Sequence, residues 1–238
     1  MDARLEMLGG FDLYLEGRPV ALPISAQRLL AVLAVRDRPA RRSWLAGTLW
    51  LDKGEERAAA NLRSTLWRLR QPGLELVVAD GDRLQLDDSI DVDLYRLRQV
   101  AWSILRDGAV ERTAVPEVLL AGDLLPDWYD DWVILEQERT RQLRMHALEE
   151  LCHAFATLDR AGAAVEAGLL AVQCDPLRES AQRALITAYL SEGNRSDAVR
   201  QIRSYALLLR SELGIEPSAA LRDLAGDAWD EAASTLTS

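Results

Sequence analysis

Lysine is nearly missing from this chain: Lys53 is the only one among 28 basic residues. A phosphate-cradling P-loop needs a glycine-rich turn that ends in Lys followed by Ser or Thr, because backbone amides wrap the phosphates while the lysine reaches the terminal ones. Lys53 has no glycine loop before it and Gly54 after it, so a Walker-type nucleotide site is excluded. Cysteine is scarce too. Cys152 and Cys174 are too few and too unpatterned for a disulfide framework, which agrees with a reducing compartment. The two histidines, His146 and His153, stand seven residues apart in a helical stretch. That spacing puts them roughly 10 Å apart, too far for one tetrahedral zinc to take both easily. Neither a Gly-x-Ser-x-Gly elbow nor a His-Glu-x-x-His run occurs. The expectation is a protein with no catalytic residues, no metal and no cofactor: not an enzyme. Long apolar runs are also lacking, and the first ten residues do not follow the basic-then-apolar layout of a signal peptide. A cytoplasmic protein with no membrane segment is expected.

What is present is an ordinary globular composition, 49% hydrophobic and 28% charged over 238 residues, with a formal net charge of -10. Such a length suits one large or two modest domains. A change of texture near residue 93 divides the chain into 1–93 and 94–238. In the first part, short alternating stretches at Leu5–Met7 and Phe11–Leu15 read as strands of a small antiparallel sheet. Ser25 is placed to cap a helix whose Leu29, Leu30, Leu33 and Ala34 share one face and which should end before Pro39. Ser43 is placed to cap a second, short helix. A third spans 56–71, and "LELVV" and "RLQL" around Asp80-Gly81-Asp82 form a hairpin. Sheet, three helices and hairpin make a winged helix-turn-helix with an extra sheet in front, an α+β unit.

The third helix carries four arginines and no acid between Arg57 and Arg70. Ala59, Leu62, Leu66 and Leu69 recur at helical spacing as its buried seam. Its other face carries Arg57, Asn61, Ser64, Trp67, Arg68 and Gln71, with Arg63 and Arg70 on the flanks. A recognition helix needs this division: apolar residues hold it down while Arg, Asn and Gln offer donors and acceptors to base edges and phosphates. An arginine-rich solvated face would look the same by periodicity alone. Trp67 has three readings. It packs against the wing or another helix, touches a thymine methyl or sugar, or sits in a protein interface, and packing within the molecule is the expected one. Arg83, near the hairpin tip, either meets DNA or is an ordinary turn arginine.

From about residue 91 onward the chain reads as helical nearly throughout. One long helix should run from the Asp130-Asp131 pair to the neighbourhood of Gly162, followed by helices closed by Pro or Gly. Ala164-Val165 and Ala198-Val199 are 34 residues apart, the period of tetratricopeptide helix pairs. An all-α, tetratricopeptide-like domain is expected, a scaffold that presents a concave surface to a protein partner.

Five runs carry a family resemblance: "GRPVAL", "LWLDKGEERAAANLRSTLWRLR", "GDRLQLDDSIDVDLYRL", "GDLLPDWYDDWV", and the stretch from "CDPLRES" to "ELGIEPSAAL". In this order they resemble the Streptomyces antibiotic regulatory protein (SARP) family of transcriptional activators, which join a response-regulator-type winged helix to a bacterial transcriptional activator domain. The resemblance implies that helix 56–71 enters the major groove of double-stranded DNA, that Asp80 to Arg83 forms the wing, and that the start of the first helix, Ser25 to Arg28, meets a phosphate. It further implies binding to promoter direct repeats as a homodimer, recruitment of RNA polymerase through its sigma subunit, a role in secondary metabolism, and no cofactor. Leu51 stands where such proteins often have proline, and Glu55 and Glu56 put acid at the start of the recognition helix.

Charge sets a condition on this expectation. Residues 1–93 hold 13 basic and 15 acidic side chains, and residues 94–238 hold 15 and 23. DNA affinity must then come from local placement of arginines, because the domain as a whole is not basic. A second functional class stays open: a tetratricopeptide-like interaction or scaffold protein whose degenerate winged helix does not bind DNA.

Overall fold

The computed structural model describes residues 3–70, 75–108 and 113–236. By its contacts the chain divides into two compact units, one of residues 1–97 and 121–140, the other of 98–120 and 141–238. Beside the division at residue 93 drawn from sequence, this grouping returns a later stretch, 121–140, to the first unit.

In the first unit, β1 (Ala3–Glu6), β2 (Asp12–Leu15) and β3 (Arg18–Pro19) form an antiparallel meander. Then β7 (Ile90–Val92) lies parallel to β1, giving the order β3-β2-β1-β7. The helix α1 (Ile24–Arg36) ends before Pro39 on Asp37, which adopts a left-handed conformation at φ 51°. Its seven buried residues include Leu29, Leu30, Leu33 and Ala34. A two-residue strand, β4 (Ala40–Arg41), leads into α2 (Arg42–Leu49) and α3 (Glu55–Leu69). The hairpin β5 (Val77–Asp80) and β6 (Arg83–Leu86) turns on Gly81 at φ 55°, and β4 completes a three-stranded wing in the order β4-β6-β5. This is the expected winged helix-turn-helix behind a small sheet.

Two caps differ from expectation. Pro23 is the N-cap of α1, and Arg41 that of α2, neither with a side-chain hydrogen bond. Ser25 and Ser43 therefore sit inside their first turns. At α1 the fixed φ of Pro23 already presets the helix entry, and its carbonyl accepts from the Ala26 and Gln27 amides at 2.8 and 3.1 Å.

The returning strap is sewn on by backbone. Gly9 N–H donates to the Asp123 carbonyl (2.7 Å) and Leu125 N–H to that of Met7 (2.8 Å), flanking a bridge between Leu8 and Leu124. Gly122 has no alternative residue here, since a Cβ on it would lie 2.7 Å from the Cα of Gly9. Trp128 stacks on Phe11 at 5.8 Å, and Leu124, Leu125 and Val133 join the core under α1. Asp93 pins the other side of the sheet. Its Oδ2 accepts from the Met7 and Leu8 amides, both at 2.8 Å, and its Oδ1 from Leu94 at 2.7 Å. Burial pushes its carboxyl above the usual range, and the three amides only partly offset that.

The second unit is helical. It contains the later part of α4 (Asp93–Asp107), α5 (Glu117–Leu120), the later part of α6 (Asp131–Thr157), α7 (Ala161–Cys174), α8 (Glu179–Ser191), α9 (Arg195–Leu213), α10 (Ala219–Ala225) and α11 (Asp227–Leu236). The long helix stops at Thr157, short of Gly162. Asp159 at φ 58° turns the chain, and Arg160 N–H closes on the Phe155 carbonyl at 2.9 Å, a Schellman-type stop. Ala164 and Ala198, the 34-residue pair, are both fully buried in α7 and α9, and α8 packs against both helices. At the tightest point Gly168 in α7 stands where a Cβ would meet Leu185 Cα of α8 at 3.0 Å and Cys152 Sγ of α6 at 3.2 Å. The Cys152 thiol is buried and pushed up to about 12, so it is packing, not a nucleophile. No helix among the described residues is long and apolar enough to cross a membrane.

Candidate nucleic-acid interface

The helix α3 begins one residue before the expected 56–71 span and ends two residues before its close. Its inward seam is Ala58, Leu62, Thr65 and Leu69, while Ala59 and Leu66 are only half-buried. The seam expected at Ala59 and Leu66 is thus rotated by one position, because Ala58 and Thr65 complete the spacing of four, three and four. Acids at Glu55 and Glu56 occupy the first turn, where the helix dipole favours them, and Arg68 the last.

That rotation decides what faces outward. Arg57, Arg63, Ser64, Arg68 and Arg70 are exposed, and Asn61 is half-buried at the edge of the face. Gln71 lies outside the described residues. Trp67 is 74% exposed, so the expected packing within the molecule does not occur. It stands two residues from both Thr65 and Leu69, about 200° around the helix from each, and so points away from the core they enter.

The wing adds one cation and a rigid mount. Arg83 is exposed at the first position of β6, where it pairs across the turn with Asp80 and across the sheet with Arg41. The Arg42 amide donates to the Asp82 carbonyl at 2.8 Å, which fastens the start of α2 to the hairpin turn. Between α3 and the hairpin lies an open cleft of about 310 Å³, with Arg63, Trp67 and Leu66 on one wall and Val77, Ala79 and Leu84 on the other.

At the start of α1 the arrangement is different. Arg28 is ion-paired with Asp130 of the strap, and Asp127 and Tyr129 share the same shallow hollow. Its guanidinium is therefore already held, and Ser25 beside it is half-buried within the helix. Sequence reasoning could not see this, since Asp130 is 102 residues away.

Among the described residues, Arg42, Arg57, Arg63, Arg68, Arg70 and Arg83 have no ion-pair or side-chain hydrogen-bond partner. Several arginines elsewhere face acids, as Arg96 meets Asp91, Arg141 meets Asp175, Arg178 meets Glu149 and Arg195 meets Glu231, while Arg18, Arg38 and Arg183 also lack an ion-pair or side-chain hydrogen-bond partner among the described residues. Sequence reasoning had not singled out Arg42. It lies outside the recognition helix, and only the packing of α2 on the wing brings it to this face.

Comparison with known proteins fits both halves of this architecture. No curated protein matches the sequence. Among solved structures the fold is similar to Mycobacterium tuberculosis EmbR in complex with a low-affinity phosphopeptide, with a TM-score of 0.73 and 23% identity over 99% of this chain and 70% of that one. Residues 105–227, just over half of the chain, match the bacterial transcriptional activator domain. With a winged helix-turn-helix ahead of that helical segment, the chain belongs to the bacterial transcriptional activator domain family and is a transcriptional regulator of the SARP type.

Proposed function

We infer that the protein is a sequence-specific, double-stranded-DNA-binding transcriptional activator. The observation that carries this reading is the set of arginines on α3 and the wing that are unpaired among the described residues, in a chain with 38 acidic residues and a net charge of -10. In this reading α3 lies in the major groove, with Asn61, Arg63, Ser64 and Arg68 at base edges, Arg57 toward the backbone, Trp67 against a thymine methyl or sugar, and Arg83 of the wing at the minor groove or a phosphate. Ser25 and Arg28 have the weakest claim to a phosphate, given the Asp130 ion pair.

The acidic balance of the whole chain makes a single subunit a weak binder. Binding as a homodimer on promoter direct repeats and recruitment of RNA polymerase with its sigma subunit supply the rest. The helical unit, 94–238 in the sequence division, serves those protein contacts, and the role is regulatory, not enzymatic, in the bacterial cytoplasm and in control of a secondary-metabolic pathway. Selection from a random duplex pool with purified protein tests the reading. A repeated motif should be enriched; no enrichment even with RNA polymerase present overturns it. The solvent-exposed Trp67 favours a second reading, a protein-interaction scaffold with a degenerate winged helix, which the same null result would support.

A further inference from the structure

A single residue separates α10 from α11. Gly226 ends α10 at φ 50° and ψ -129°, and α11 starts at Asp227. That backbone conformation mirrors the extended region, and only glycine enters it without cost. On either side the sequence keeps helical phase. Leu221, Ala225, Ala228 and Ala232 are the buried residues of the two helices among the described side chains, at spacings of four, three and four, so the seam runs through the break without a slip. Neither proline nor a β-branched residue occurs between Ala219 and Ala233. The local code is therefore for one continuous amphipathic helix, and the corner at Gly226 divides it.

What holds α11 beyond that corner is slight. It packs against α9, but only Ala228 and Ala232 of its described side chains are buried, with Trp229 half-buried under the Arg222 guanidinium at 5.4 Å. Alanine faces remove little apolar area from water. At the rim Arg195 meets Glu231 at 2.8 Å, and Arg203 Nη2 donates to the Glu231 carbonyl at 3.0 Å. Both partners of the ion pair are half exposed, so solvent screens it and it adds little. The helix leaves α9 at low cost, and the α9 of another copy offers it the same contacts.

We propose that α11 is exchanged between two copies of this chain. Gly226 relaxes to helical geometry, α10 and α11 merge into one helix over 219–236, and each α11 seats on the α9 of the other copy. This rests on the homodimer reading above and gives that dimer an interface. Every contact of α11 is regained across the exchange, so the balance is set by the two hinges and the entropy of association. The exchange is reciprocal and therefore closed: two copies satisfy each other and leave no free face for a third.

The first test is Gly226→Ala in the full-length protein. No atom lies within 4 Å of a Cβ built on Gly226, so alanine acts through the backbone alone, against the corner and in favour of the helix. Sedimentation equilibrium should give a dimer dissociation constant lowered about tenfold or more, with helical circular dichroism retained. An unchanged or raised constant overturns the proposal. A second variant reads the exchange directly: Arg195→Cys, Glu231→Cys and Cys174→Ser in one chain, bridged with a short bis-maleimide where sedimentation gives dimer, in the Gly226→Ala background if that alone is dimeric. Bridging between chains, a doubled mass on a denaturing gel, is expected. A dimer whose bridge closes within each chain overturns the exchange and leaves the homodimer reading standing. A monomer at every concentration, with Gly226→Ala as well as without it, overturns both.

Discussion

Arginine is handled in opposite ways on the face of α3 and at two seams between helices of the second unit. In the helical unit Arg178 reaches His146 at 2.7 Å, Ser180 at 2.8 Å and Glu149 at 3.3 Å, and Arg195 is clasped by Glu231 at 2.8 Å. There the guanidinium is a fastener between helices, its charge spent inside the molecule. On α3 and the wing the guanidinia end in solvent. Arginine content is thus a poor guide to function in this chain, because some of its guanidinia are spent on internal acids and others are not.

The sharpest way to break that comparison is to remove charge from the face where it is free. Replacing Arg63 and Arg68 together with alanine should weaken binding to a selected duplex by about 30-fold or more, at about 1–3 kcal/mol for each guanidinium removed from a base edge. Urea denaturation should show stability unchanged to within about 0.5 kcal/mol. Unaltered affinity with the fold intact would move the protein to the scaffold class.

The converse experiment goes to the paired region. Arg178→Ala removes the guanidinium that meets Glu149 and His146 where α6 meets α8, leaving Glu149 with the Ser180 hydroxyl, so stability should fall by about 1–3 kcal/mol while DNA affinity per folded molecule stays constant. Equal losses of stability and binding would mean that the two units do not divide the work.

Between these two lies the strap. Gly122→Ala places a methyl group against the Gly9 backbone, and a cost of about 1–3 kcal/mol in urea-measured stability is expected. If the substitution is silent, the backbone seam between 7–9 and 123–125 is not what holds the strap.

The smallest effect concerns Asp93. Its carboxyl titrates above the usual range in the folded chain, so the folded state binds a proton more readily than the unfolded one. The contribution is fully present below the unfolded value of about 3.9 and fades as pH rises through the folded value. Stability of the unsubstituted protein relative to Asp93→Asn should therefore decline across that window, traced by urea midpoints from about pH 3 upward. A rising difference would reverse the sign assigned to the site.

Legibility in the sequence followed the range of the interactions. The winged unit was readable because its signals are local: alternation in β1 and β2, a proline after α1, and Asp-Gly-Asp between two short apolar runs. Three features were not. The strand β7 is only Ile90-Asp91-Val92, and nothing in three residues distinguishes a strand from a junction. The seam of α3 is misphased in the sequence because Leu66 is more apolar than its neighbour Thr65 and draws the stripe one position round, to Ala59, whereas Ala58 and Thr65 are the buried pair. Arg28 read as free for a phosphate because its partner lies across the fold. Periodicity finds faces; it does not find what arrives on them from 100 residues away.

The strap also changes what counts as a module here. The chain passes between its two units three times, at 97/98, 120/121 and 140/141, not once. Cutting near residue 93 would leave Met7 and Gly9 without their backbone partners and Arg28 without its acid. A gene fusion that borrows only the N-terminal coding segment would inherit a winged helix with an open flank. In the DNA-binding reading proposed above, a single joint near residue 93 would therefore not carry a closed winged unit from one chain to another, whereas point substitutions on α3 leave the seam with 121–140 intact.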